Sequence, residues 1–265
     1  LRLRAQAGWN QTEAGWRRFL ALAPAGCFVA ELDGTPVATT TTCILGNVGW
    51  IAMVLVDQSA RHRGIGTRLV EHAVGHLMAL GAHSVRLDAT AQGRPVYERL
   101  GFVADYGLAR LQGTASPPGQ GPAGISPVAR ADLGAIAQLD SAATGTQRGK
   151  LLATLLAETP GSAAKRATDG TITGYVFCRD GRHATTIGPA VTRDPADGAP
   201  LLDWALTTCA GRQVFVDIPL DNQLAMDWAH ARGLDVQRQF TRMHLGVAIE
   251  DNPRWIWASS GPEKG

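Results

Sequence analysis

No apolar run in the 265 residues approaches the roughly 20 that a membrane-spanning helix needs, and no signal-peptide pattern opens the chain. An excess of one charge is missing too. The 25 Lys and Arg against 23 Asp and Glu leave a formal charge of +2, without a basic run, so neither nucleic acid nor an anionic membrane is expected as a partner. Cysteine is scarce: Cys27, Cys43, Cys178 and Cys209 are scattered without CxxC or metal spacing. They read as reduced, mostly buried thiols in a cytoplasmic protein, with Cys27 and Cys43 in apolar strands as core rather than nucleophiles. The histidines show no ligand spacing, so no metal is expected. Trp50, Trp204, Trp228, Trp255 and Trp257 have no basic company and read as core filler rather than a platform for bases. What remains is a chain long enough for one large or two ordinary domains.

One stretch organises the rest. Val54 to Asp57 ends an aliphatic run, Gln58 to Ala60 turns, and Arg61-His62-Arg63-Gly64-Ile65-Gly66-Thr67 opens a helix that reads Thr67 to Leu80, with Gly81 as its stop. Backbone N–H groups at a helix start make an anion site. Gly64 and Gly66 would let the backbone close on a phosphate, and Arg61 and Arg63 add charge. Three phosphate-loop patterns compete here. A P-loop needs Lys-Ser/Thr after its last glycine, where this chain has Thr67-Arg68. A dinucleotide fingerprint needs a third glycine, where Leu69 stands, although Asp88 ends a strand about 20 residues on. Arg/Gln-x-x-Gly-x-Gly/Ala fits at Arg61, Gly64 and Gly66.

That third pattern resembles the pyrophosphate loop of the GNAT superfamily of N-acetyltransferases. Downstream, the strand Ser84 to Thr90 and the segment Val96-Tyr97-Glu98-Arg99-Leu100-Gly101-Phe102 resemble the family's second signature, Tyr-x-x-x-Gly-Phe, in the usual order and spacing. The resemblance implies an α/β (α+β) fold. It also implies acetyl-CoA as co-substrate, with Arg61 to Thr67 on its pyrophosphate and Val54, Leu55 and Val56 along its pantetheine arm.

In chain order, Leu1 to Leu22 reads as helical, and the family's opening strand is absent or reduced to Leu1-Arg2-Leu3. Trp9 and Asn10 fall where the family's first helices border the acceptor; packing and a helix N-cap are the plain alternatives. Gly26 to Ala30 and Pro36 to Ile44 form a hairpin on Asp33-Gly34. Gly49 to Val56 is apolar nearly throughout, as a strand covered on both faces would be; the family implies that it is bulged and splays from its neighbour. Residues 1–111 are read as the catalytic domain and 112–124, rich in Gly and Pro, as a linker. Residues 125–265 are read as a second GNAT-like domain, so that each half is a mixed, mostly antiparallel sheet flanked by helices. This second half lacks the Arg-x-x-Gly-x-Gly loop, carrying Asp194 and Asp197 there instead, and has no tyrosine matching Tyr97. It is read as a copy that does not hold coenzyme A but walls off the acceptor pocket.

Amide formation then implies roles. The Leu55 N–H would hold the thioester oxygen, Tyr97 would protonate or hydrogen-bond the departing sulfur, and positioning supplies much of the rate. Tyr97 could also be a packing residue. For the base, Asp88 is the nearest carboxylate, with a structural bond to the Gly93 turn as its alternative; Asp217 and Asp221 could hold a cationic acceptor or simply cap turns. The expected acceptor is a small-molecule amine, since an added domain favours an enclosed pocket. A peptide or protein amine, or a non-catalytic acyl-CoA sensor, are the other readings.

Overall fold

The computed structural model describes residues 2–116, 124–159 and 161–265. The chain divides into two compact units. Unit 1 comprises Leu1–Asp105, Thr241–Ala248 and Pro262–Gly265; unit 2 comprises Tyr106–Phe240 and Ile249–Gly261.

Unit 1 opens with α1 (Arg2–Ala7) and α2 (Glu13–Leu22). The helix expected over 1–22 is broken at Gly8, whose φ of +64° leaves the helical region, and restarts at Thr12, whose hydroxyl accepts the Gly15 N–H at 3.2 Å. Arg2 and Leu3, a possible strand from the sequence, are helical; Leu1 lies outside the described residues. β1 (Cys27–Leu32) and β2 (Thr35–Leu45) pair across Asp33-Gly34, both with positive φ, as the Asp-Gly turn predicts. β3 (Val48–Val56) pairs antiparallel with β2, α3 runs Ile65–Ala79, and β4 (Ser84–Ala89) pairs parallel with β3. α4 (Arg94–Arg99) follows. Ile51, Val85, Leu87 and Ala89 from the sheet and Val70, Ala73 and Leu77 from α3 form one core, with Tyr97, Leu100 and Phe102 against it.

The chain leaves unit 1 within β5 (Val103–Thr114). Gln112 to Thr114, assigned to the linker by composition, are strand paired with Phe215 to Gln213; residues 117–123 of that linker lie outside the described residues. Unit 2 continues with β6 (Ile125–Pro127), α5 (Leu133–Thr144), α6 (Gly149–Glu158), β7 (Gly161–Arg166), β8 (Ile172–Arg179), β9 (Thr185–Thr192), α7 (Pro195–Thr208), β10 (Gln213–Pro219) and α8 (Gln223–Ala231). It repeats the element order of unit 1, as expected.

Two features were not expected. β9 and β10 are parallel partners only from Thr185↔Val214 to Ile187↔Val216, and where they part, β12 (Ile256–Ala258) takes the gap. Ile256 pairs with Val191 and Ala258 with Ala190, while the Ser259 N–H donates to the Asp217 carbonyl at 2.7 Å. Trp257, 3% exposed, packs so closely on α7 that a Cβ on Gly198 would lie 1.8 Å from its ring. The other feature is β11 (Asp235–Gly246). Its second half belongs to unit 1, where Thr241–Gly246 pairs antiparallel with Ala89–Ser84. Unit 1 is therefore not a contiguous 1–111.

Candidate active site

The site of unit 1 is built on a defect in β3. Ala38 faces Val56 and Thr39 faces Leu55, but the next pair is Thr41 with Ala52, so Met53 and Val54 share the single partner Thr40. Met53 takes the extra residue's conformation, with φ +53°. The threonine run holds this bulge: the Thr39 hydroxyl donates to the Met53 carbonyl at 3.1 Å, and those of Thr40 and Thr41 donate to the Ala52 carbonyl at 3.2 and 3.3 Å. On the other side, β3 and β4 pair only from Val48↔Ser84 to Trp50↔Arg86. Beyond Trp50 the two parallel strands part and leave a wedge edged by backbone.

The register also decides which N–H groups face that wedge. The Asp57 N–H donates to the Val37 carbonyl at 2.8 Å. Antiparallel alternation then makes Leu55 and Thr39 the next pair to exchange bonds, and turns the Val56 N–H away from β2, while Val54 lies in the bulge where the regular ladder is interrupted. The expected donor, Leu55, is corrected on this ground: its N–H belongs to the β2 ladder.

At the mouth of the wedge, Asp57 fixes the turn by accepting from the Ser59 N–H at 3.0 Å and hydroxyl at 2.7 Å, from Gln6 at 3.2 Å and from Arg2. The Ser59 bonds, followed by the Arg2 guanidinium, hold its carboxyl well below the usual range. His62 (φ +60°) and Gly64 (φ +75°) then curl the chain into α3. Among the described residues nothing lies within 4 Å of where a Gly64 Cβ would be, and a Gly66 Cβ would meet Val56 at 3.4 Å. Gly64 is the N-cap and among the described residues no side chain caps the helix start, so the first-turn N–H groups of α3 face an open cradle. Arg61 donates to the Val56 carbonyl at 3.2 Å, and Arg63 is exposed beside it. A diphosphate fits these features by charge and by space.

Tyr97 sits on the α3–α4 side, edge-to-face with Phe102 at 5.9 Å, and its hydroxyl is pushed up to about 12 by burial. The phenol is therefore protonated throughout the neutral range. Trp9 is half-buried; Asn10 is buried, and the N-cap of α2 is Thr12, not Asn10.

The opposite face of the sheet carries charges that the sequence did not connect. Asp88 and Arg242 form a two-point ion pair at 2.8 and 2.9 Å, both buried, with the guanidinium 5.0 Å from the Trp50 ring centre. That arrangement overturns Asp88 as the base, because both its oxygens already accept from a cation, and it replaces the Gly93 turn as the structural explanation. Next to it Asp105 accepts from Arg86 at 2.7 Å and meets His244 Nδ1 at 2.5 Å. Pro262–Gly265 lies over the same face: the Trp50 indole N–H donates to the Pro262 carbonyl at 3.5 Å, and Lys264 sits 5.6 Å from the Phe19 ring. Arg242 and His244 could not be found from spacing, since they lie more than 150 residues from Asp88 and Arg86 respectively.

In unit 2, Asp217 accepts two bonds from Arg110 at 2.7 Å each, both residues buried, and so is a structural partner rather than an acceptor ligand. Asp194 caps α7, where unit 1 has its cradle. Among the described residues no group of His, Cys, Asp and Glu is arranged to hold a metal, and no helix is long and apolar enough to cross a membrane.

Two family models match the chain: the acetyltransferase (GNAT) family over residues 3–102 and an acetyltransferase (GNAT) domain over residues 136–258. The uncharacterized N-acetyltransferase YitH of Bacillus subtilis is 25% identical over 228 residues, which are 84% of this chain and 78% of YitH. Among solved structures, a Pyrococcus horikoshii protein assigned as an acetyltransferase superposes with a TM-score of 0.82 at 24% identity, covering 95% of this chain and 84% of that one. A tandem GNAT protein from the clavulanic acid biosynthesis pathway superposes with a TM-score of 0.64 at 15% identity, covering 94% of each chain. Likenesses of this degree carry the fold. With the bulged strand, the wedge and the glycine cradle on one unit and a second unit of the same order, the chain belongs to the GNAT superfamily of acetyltransferases, as a two-domain N-acetyltransferase.

Proposed function

We propose that the protein transfers the acetyl group of acetyl-CoA to the amine of a small molecule by direct attack, with both substrates on unit 1. The observation that carries this reading is the bulge at Met53 beside the gap that opens past Trp50 and Arg86. It interrupts the regular β2 ladder next to a helix start that no side chain among the described residues caps. The cradle of Arg61, His62, Arg63, Gly64, Ile65, Gly66 and Thr67 takes the pyrophosphate, and the β3 edge from Val54 to Val56 takes the pantetheine arm. The Val54 N–H, in place of Leu55, holds the thioester oxygen as negative charge develops on it. Tyr97 gives its proton to the sulfur as the C–S bond breaks. Trp9 and Asn10 border the acceptor. The small-molecule acceptor rests on the presence of a second domain, which an open groove for a protein tail does not need.

The test is thiol release from acetyl-CoA over a panel containing an alkylamine, an arylethylamine, an amino sugar and a peptide N-terminus. We expect Tyr97→Phe to lower kcat by about 10²-fold, at the low end for a lost proton donor, with stabilisation by acetyl-CoA kept. A peptide as the best acceptor would replace the small-molecule assignment, and binding without thiol release from any amine would make the protein a sensor. We further expect calorimetry to give one acetyl-CoA per chain. In unit 2 the gap between β9 and β10 holds β12, and the start of α7 is capped by Asp194. Two sites per chain would refute that reading of unit 2.

A further inference from the structure

The reaction proposed above also needs a base for the amine, and the inference that follows rests on that reading. On the α3–α4 side the wedge is backed by the core around Ile51, Leu87 and Val70. The opposite face carries Trp50, Arg86, Asp88, Arg242 and His244, and this is the face assigned to the amine. We propose that His244, oriented by Asp105, is the base that deprotonates the attacking amine.

Three observations support this assignment. First, His244 stands across from Arg86 on β4, and Arg86 across from Trp50 on β3. This is the last row before the wedge opens, and alternation along the strand puts His244 on the face of Arg242 and away from Met243, which is in the α3 core. Second, the ring is held in a defined orientation. Asp105 meets Nδ1, and Arg86, 1% exposed, bonds the other carboxylate oxygen. With the proton on Nδ1, where a carboxylate can accept it, Nε2 is left as the acceptor. Nε2 has no hydrogen bond among the described residues, and the side chain is 12% exposed.

Third, the competing groups on this face are engaged. Asp88 is held by Arg242, and Glu263 accepts from Lys264 at 2.7 Å. The charges around the imidazole are thus Asp105 from β5, Arg86 from β4, and the Arg242–Asp88 pair one row further along.

The protons balance. Nε2 takes one from the amine as the C–N bond forms, and Tyr97 gives one to the sulfur as the C–S bond breaks; solvent then returns the proton from imidazolium to phenolate. His244 acts on the amine directly or through one water, while Asp105 is a positioning residue.

The test compares His244→Gln, His244→Gly and Asp105→Asn with the parent, using the fastest amine of the panel and also water as acceptor. We expect His244→Gln to lower kcat by about 10²-fold with the acetyl-CoA KM unchanged. The acid-side fall of the parent's kcat/KM profile should disappear, and added imidazole should restore part of the His244→Gly activity. Asp105→Asn should lower kcat less and displace the acid limb. A kcat within threefold of the parent, an intact acid limb, or the absence of imidazole rescue would overturn the assignment. So would loss of acetyl-CoA stabilisation together with kcat, which would make His244 structural. If the parent binds acetyl-CoA but releases no thiol to any acceptor, the transfer reading itself falls and this assignment falls with it.

Discussion

Replacing Gly64 with glutamate should abolish the stabilisation that acetyl-CoA gives the parent protein. At about 100 times Kd a ligand specific for the folded state adds roughly 2.7 kcal/mol, a rise of a few degrees in melting temperature. Gly64 has φ +75°, and its missing Cβ would touch nothing among the described residues. A side chain there consequently disturbs no packing, but it forces an L-residue into the left-handed region at about 1–2 kcal/mol. Glutamate also brings a negative charge to the helix start, where phosphates must sit. Gly64→Ala separates the two effects: it should melt lower than the parent yet keep a ligand-induced rise. The measurement is a thermal melt of all three proteins with and without saturating acetyl-CoA. A full rise in Gly64→Glu would place the co-substrate somewhere other than this loop.

Asp140→Ala should cause the largest loss of stability. Asp140, Arg148 and Tyr175 are wholly or almost wholly buried in unit 2. Arg148 donates to both carboxylate oxygens, at 2.9 and 2.5 Å, and the Tyr175 hydroxyl donates to one of them. Burial, with the Asp140 charge second, holds that phenol protonated well above its ordinary range. Removing the carboxylate leaves a guanidinium buried without its counter-charge, which costs about 3–5 kcal/mol, or on the order of 10 °C in melting temperature. The double variant Asp140→Leu with Arg148→Met should recover much of the loss, because replacing both members of a buried pair with apolar groups removes the orphaned charge. A drop of only a degree or two in Asp140→Ala would mean that water or a neighbour already satisfies Arg148.

What the sequence disclosed was local. The Arg61-x-x-Gly64-x-Gly66 loop, the Tyr97 to Phe102 signature, the Asp33-Gly34 turn and the order of elements all lie within short windows, where backbone preference and hydrophobic pattern dominate. What it withheld was long-range. The ladder that removes the Leu55 N–H from the wedge depends on a bulge, and one extra residue changes pairing without leaving a residue type behind. Asp88 was singled out correctly as a notable carboxylate but for the wrong reason, since its partner Arg242 is brought in by a strand from the far end of the chain. Thr12 rather than Asn10 caps α2 because Gly8 delays the helix restart, a difference of two residues that propensity alone does not resolve.

The segment between β9 and β10 has a further meaning as a tethered ligand. A free coenzyme must reach its site from dilute solution, whereas Ile256–Ala258 belongs to the same chain as β9 and β10, following β10 by way of α8 and β11, and so competes as an intramolecular ligand. It meets the strand edges with backbone hydrogen bonds and anchors itself with the Trp257 indole against Gly198. Coenzyme A binding to unit 2 would therefore have to displace a competitor that never diffuses away. On the proposed reading, unit 2 is closed to coenzyme A by mass action as well as by having no Arg-x-x-Gly-x-Gly loop, and installing a glycine cradle there without deleting Trp257 should leave it closed.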